Sequence, residues 1–79
     1  MSYRFSKKVY NAEDGTRMLK FTKPQDDEAV FATFNLNILE DQKHLGDPME
    51  FAVAFINMLQ QFMGFKLTPE EIEYAVEDI

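Results

Sequence analysis

Polar and apolar residues alternate over two short runs near the start of the chain, residues 3–10 and 16–22. A period of two is typical of a β-strand that is buried on one side, because successive side chains point to opposite faces. The five residues between the runs, 11–15, end in Gly15, which can adopt the positive φ angle that a tight turn requires. The pattern therefore predicts a β-hairpin.

The clearest alternation covers residues 30–38, where every second residue is apolar: Val30, Ala32, Phe34, Leu36 and Ile38. We expect this run to form a third strand, antiparallel to the second, after a polar loop over residues 23–27. The stretch 39–46 is mostly polar and fits either a loop or one helical turn that ends at Gly46.

The rest of the chain carries signals that start and stop helices. Asp47 followed by Pro48 is typical of a helix N-terminus, and Gly64 is typical of a helix end. Thr68, with a proline after it and Glu71 three residues later, matches a capping box. These signals predict one helix over residues 48–63 and a second from residue 69 onward. The second has a single narrow apolar stripe, formed by Ile72, Ala75, Val76 and Ile79.

Together these elements predict an α+β fold: a three-stranded antiparallel β-meander followed by two α-helices packed on one face, in the order β-β-β-α-α. We expect residues 1–79 to form a single small domain, because a chain of this length has room for only one hydrophobic core. The motifs are too general to indicate a resemblance to a known family.

The helix predicted over residues 48–63 is apolar over an arc of roughly 200° when its residues are placed at 100° intervals. Two adjacent stripes make up this arc, one of Phe51, Phe55, Met58 and Phe62, the other of Met49, Val53, Ile56, Leu59 and Met63. Only Glu50, Ala54, Asn57 and Gln61 form a wet face. Either the last helix covers the remaining apolar surface, or part of that surface is an interface.

The leading hypothesis from this pattern is a non-enzymatic interaction or assembly protein that associates with itself as a homodimer, or with a protein partner. The candidate interface residues are Phe51, Phe55, Met58 and Phe62. Phenylalanine and methionine are common at interfaces, and a two-fold dimer buries the same stripe twice, which helps a small domain that is short of core.

The charge is distributed unevenly, and this suggests an alternative. The net charge is -6, yet six of the eight basic residues precede Pro24. One face of the predicted hairpin carries Arg4, Lys8, Tyr10 and Lys20, a combination that can bind nucleic acid through phosphate contacts and base stacking. The acidic residues of the last helix, Glu70, Glu71, Glu73, Glu77 and Asp78, form either a solvated face or a mimic of nucleic acid. The alternative is thus a small regulatory or inhibitor module, of the kind encoded by phages or mobile elements.

Candidate catalytic chemistry is sparse. His44 is the only histidine and lies near Glu40 and Asp41, but a metal site or a general base would need further groups from elsewhere. The chain has no cysteine, which excludes disulfides and thiolate chemistry. We therefore expect no enzymatic activity, no cofactor, no metal and no small-molecule substrate.

Hydropathy gives an expectation for location. The basic residues near the start of the chain are not followed by the apolar run of a signal peptide, and no apolar run is long enough to span a bilayer. We expect a cytoplasmic protein without a membrane partner.

Overall fold

The computed structural model describes residues 3–79, which divide between two compact units. The sheet unit is Met1–Asn37, and the helical unit is Ile38–Ile79. The elements in chain order are β1 (Ser6–Asn11), β2 (Arg17–Lys23), β3 (Asp26–Asn35), α1 (Leu36–Leu45), α2 (Pro48–Met63) and α3 (Pro69–Val76). The α+β fold and the three-stranded meander are confirmed, but three helices follow the sheet rather than two.

The sheet is antiparallel throughout, in the order β1-β2-β3. In its register Val9 pairs with Leu19, and Leu19 pairs with Phe34. Because directly paired residues share a face, Val9, Leu19 and Phe34 lie on one face of the sheet. The register shifts after Phe21, so that Val30 pairs with Thr22 and the predicted alternation does not hold along the whole of β3. Lys8 and Lys20 pair on the opposite face. The core of this unit includes Phe5, Leu19 and Phe21, each at most 2% exposed.

The turn between β1 and β2 has the geometry that its sequence predicts. The Gly15 amide donates to the Ala12 carbonyl at 2.9 Å, and the Ala12 amide donates to the Thr16 carbonyl at 2.8 Å. Gly15 has φ +85°, a left-handed conformation that glycine adopts without a steric cost. β1 itself begins at Ser6, so Tyr3 to Phe5 precede the strand that was predicted to include them.

The prediction of a polar loop over residues 23–27 is wrong, because β2 extends to Lys23 and β3 already begins at Asp26. Only Pro24 and Gln25 remain between the strands. Proline fixes its φ near -65° and Gln25 has φ +65°, a combination typical of a type II turn. Polar residues therefore mark the strand ends here rather than a long loop.

The third strand also ends earlier than its alternation predicts, because Leu36 starts α1. Leu36 and Leu39 are buried at a spacing of three, while Ile38 between them is 52% exposed. The alternation of Leu36 and Ile38 is thus accidental, and a helical spacing decides which side chains enter the core. The ambiguous stretch 39–46 is helical up to Leu45.

The two later helices begin where their caps predict. Asp47 accepts a hydrogen bond from the Met49 amide at 2.9 Å, and Gly64, with φ +83°, is the C-cap that follows the last residue of α2. At α3, Thr68 and Glu71 form a complete capping box. The four residues of α2 with the lowest exposure are Phe55, Ile56, Leu59 and Met63.

Candidate interaction surfaces

The buried residues of α2 lie between the two stripes that the sequence predicts, rather than along one of them. Phe55 comes from the first stripe, whereas Ile56, Leu59 and Met63 come from the second. Each stripe therefore contributes its inner margin to the core and leaves its outer margin exposed. The predicted wet face is exposed as expected, at Glu50, Ala54, Asn57 and Gln61.

The four residues predicted for a homodimer interface are in different environments. Phe55 is 1% exposed, and Phe51 is half-buried with its ring stacked on that of Phe55, at 6.0 Å between centroids and 9° between planes. Met58 is 38% exposed and Phe62 is 56% exposed. We call Met58 and Phe62 the first edge of α2. Of the predicted set, this edge is the part that a partner can reach.

A second apolar edge was not selected from the sequence. Met49 is 77% exposed and Val53 is 58% exposed, and we call these two residues the second edge of α2. The sequence did indicate surplus apolar surface on this helix, because an apolar arc of about 200° is wider than one buried side of a helix. What the pattern did not show is that the core would take the middle of the arc and leave both margins in contact with water.

Beside the second edge, three shallow depressions lie along α2, and Asn57 lines each of them. We call the three together the Asn57 groove. Its start is lined by Asp47, Met49 and Glu50. The middle is lined by Val53, Ile56, Gln60 and, from α3, Ile72. The far end is lined by Gly64, Phe65 and Lys66. The groove is thus acidic at its start, apolar in its middle and basic at its far end.

The Gln60 side chain fixes the loop at the far end of this groove. Its Oε1 accepts a hydrogen bond from the Leu67 amide at 2.9 Å. Its role in holding the α2–α3 connection is a finding of the structure. The bond keeps the segment that carries Lys66 close to the last turn of α2.

The sheet unit brings together three of the four residues of the predicted basic face. Lys8 pairs with Lys20 and Tyr10 pairs with Met18, so that their side chains share one face. The Lys20 Nζ lies 5.5 Å from the centroid of the Tyr10 ring, within the range of a cation–π contact. Arg4 is exposed in the bend before β1 and is not part of the strand.

The acidic surface predicted for the last helix differs from the structure in two ways, the first being that α3 ends at Val76, so that Glu77 and Asp78 follow the helix. Glu71 is only 4% exposed, because its Oε1 accepts the Thr68 amide at 3.0 Å and closes the capping box. Four other predicted members are exposed: Glu70, Glu73, Glu77 and Asp78. The acidic face of α3 therefore consists of Glu70 and Glu73 on the helix together with Glu77 and Asp78 just after it.

Two further observations concern enzymatic or membrane roles. His44 lies exposed in the last turn of α1. Within residues 3–79, no group of three or more potential metal ligands comes together. Over the same range, no helix has the length and apolar character needed to cross a bilayer.

Comparison of the chain with protein-family models, with curated proteins and with solved structures gives no match. A functional proposal therefore rests on the chain's own residues.

Proposed function

We propose that this protein is a non-enzymatic interaction protein that associates with itself through α2. The observation that carries the proposal is the exposure of four large apolar side chains on this one helix: Met49, Val53, Met58 and Phe62. Single exposed apolar residues are normal on any protein, but here they occur as neighbouring pairs, one pair on each edge of α2. Adjacent exposed apolar side chains are characteristic of a contact surface.

The size of the chain supports the same role. A domain of 79 residues buries a smaller share of its apolar surface than a larger one, so burial by a second copy adds appreciably to its stability. A two-fold dimer doubles the contribution of each side chain at the interface. The Phe51 ring, which belongs to the same stripe as the first edge, is held in place by stacking on the buried Phe55 ring.

The first test is the solution mass by light scattering over a wide range of concentrations, for the natural sequence and for two variants. Phe62→Asp places a charge on the first edge, and Val53→Asp places one on the second. Gln42→Asp, at an exposed position of α1, adds the same charge away from both edges and is the matched control. We expect a concentration-dependent dimer that one edge variant abolishes and that the control retains.

A monomer at every concentration would contradict the proposal. So would a dimer that survives both edge variants while circular dichroism shows them to be folded. Phe55→Asp is unsuitable here, because a charge at a position that is 1% exposed would unfold the chain rather than report on an interface.

A second candidate function, the binding of single-stranded nucleic acid, is favoured by the cluster of Lys8, Lys20 and Tyr10. Two lysines directly opposite each other repel, and a phosphate between them would relieve that repulsion. The half-buried Tyr10 ring contacts the Lys20 cation, and a base that stacked on this ring would add to the phosphate contacts.

This candidate has its own test. Fluorescence anisotropy with a labelled oligothymidine should report binding that weakens steeply as salt is raised and that Lys8→Glu abolishes. Lys66→Glu makes the same charge change outside the sheet unit and is the control. No change in anisotropy at low salt would rule this function out. Binding of a basic protein instead of the oligonucleotide would point to mimicry by the acidic face of α3.

A further inference from the structure

We infer that the partner of α2 is a second copy of α2, antiparallel to the first, on a two-fold axis that passes beside Asn57. The inference rests on the proposed self-association and adds which edge is used and in what geometry. It assigns the contact to the Asn57 groove and the second edge rather than to Met58 and Phe62.

The first argument is the order of charges along the groove. Asp47 and Glu50 lie at its start, and Lys66 lies at its far end. A two-fold rotation about the middle places the acidic start of one copy against the basic end of the other. The groove is therefore complementary to itself, which is the property that an isologous interface requires.

The second argument is the spacing of these residues about Asn57. Glu50 precedes Asn57 by seven residues, and Gly64 follows it by seven. Seven residues span about 10 Å along a helix and return to nearly the same face. With the axis at Asn57, Glu50 of one copy therefore reaches the level of Gly64 of the other, two residues from Lys66.

The third argument is the shape of the contact. Ala54 and Gly64 are small, while Val53 and Met49 are the exposed large apolar side chains of α2 along the groove. Small residues allow two helices to approach closely, while the two apolar side chains supply the burial. Asn57 carries both a donor and an acceptor, so two copies of this side chain across the axis can satisfy each other. A polar residue at such a position also fixes the register.

A second copy fits this groove better than it fits the first edge. The groove carries charges of both signs at opposite ends, whereas Met58 and Phe62 are only apolar and do not define an orientation. Antiparallel packing also places the positive end of one helix dipole beside the negative end of the other. The contact is small, so the dimer is weak and depends on concentration.

Cysteine cross-linking provides the sharpest test, because the natural chain contains no cysteine. Facing Cα atoms of helices packed 8–10 Å apart lie about 3.5–5.5 Å from each other, and the upper part of this range matches the Cα separation of a disulfide. Asn57→Cys should therefore form a covalent dimer rapidly under mild oxidation. Met58→Cys, on the first edge, and Gln42→Cys, on α1, are the controls and should stay largely monomeric.

Charge reversal gives a second, independent test. Glu50→Lys and Lys66→Glu should each weaken the dimer roughly five- to tenfold, because every reversal replaces two attractive contacts with two repulsive ones. The double variant restores both contacts at the natural net charge, so its dissociation constant should return close to that of the natural sequence. Light scattering at fixed ionic strength measures all four proteins.

The outcomes separate this inference from the function on which it rests. A dimer in which Met58→Cys cross-links faster than Asn57→Cys would overturn the Asn57 axis and keep self-association. Failure of the double reversal to recover dimerisation would overturn the pairing of Glu50 with Lys66. A monomer at all concentrations would overturn both proposals together.

Discussion

The two units of this protein differ in their balance of basic and acidic residues and in how many large apolar residues they expose. The sheet unit has six basic and five acidic residues, whereas the helical unit has two basic and nine acidic ones. Of the large apolar residues that are exposed, two lie in the sheet unit, Val9 and Val30, and six lie in the helical unit: Ile38, Leu45, Met49, Val53, Met58 and Phe62. Both units thus carry the same number of charged residues, but the helical unit has the larger net charge and exposes more of its large apolar side chains.

This contrast has a physical basis in how the elements use their side chains. A strand with one buried face needs only every second residue in the core, so a short alternating sequence divides cleanly between core and solvent. A helix buries an arc, and an apolar sequence wider than the arc leaves its margins exposed. In the helical unit the surplus falls on α2. High net charge keeps such a surface from associating indiscriminately.

The largest expected effect comes from removing a core ring in the sheet unit and comparing it with an exposed ring in the helical unit. Phe21 is 0% exposed, so Phe21→Ala should lower the free energy of unfolding by about 3–5 kcal/mol. Phe62→Ala, at a residue that is 56% exposed, should change it by less than about 1 kcal/mol. Urea denaturation at a concentration where the protein is monomeric measures both. Equal losses would contradict the contrast between the units.

The caps of the helical unit come next in size. Thr68→Ala removes the side chain that accepts the Glu71 amide at 3.2 Å and should cost about 1 kcal/mol. Thr68→Ser keeps the acceptor and is the matched control, with a much smaller loss expected. Comparable losses in thermal unfolding for both variants would show that the cap hydrogen bond is not the source of the stability.

A smaller gain is expected at the second turn of the sheet unit. Gln25 has φ +65°, a conformation that costs side-chain-bearing residues energy and that glycine adopts freely. Gln25→Gly should therefore stabilise the protein by up to about 1 kcal/mol, offset in part by the greater freedom of glycine in the unfolded chain. Gly15→Ala, at φ +85°, makes the opposite change and should destabilise. A loss of stability in the Gln25 variant would contradict this account of the turn.

The smallest expected effect is on how the stability of the protein depends on pH in the acidic range. A hydrogen bond from the Thr16 side chain, followed by one from the Thr16 amide, lowers the pKa of Asp14 below its usual value. A carboxyl with a lowered folded-state pKa adds stability above its unfolded pKa, and this stability is lost as the pH falls through the folded pKa. Asp14→Asn should remove that part of the acid dependence, as measured by urea denaturation between neutral and acidic pH. An unchanged pH profile would show that the contact adds nothing.

The sequence predicted that α2 carries surplus apolar surface, but it did not predict which of the apolar residues are exposed. The width of the apolar arc of α2 predicted surplus surface, and four large apolar residues on that helix are exposed. Phe55 was assigned to the interface because it shares a stripe with Phe62. The periodicity of one helix shows which residues share a face, but it does not show how far the core extends across that face.

Local signals determined the parts of this protein in which neighbours in sequence decide the outcome. Gly15, Asp47, Gly64 and Thr68 set turns and helix ends through backbone geometry and nearby hydrogen bonds, which a short stretch of sequence contains in full. The tertiary structure alone decided that Leu36 begins a helix instead of continuing β3, and that the core takes the middle of the arc of α2. Both outcomes depend on which side chains can be buried together, because burial is a property of contacts between residues distant in sequence.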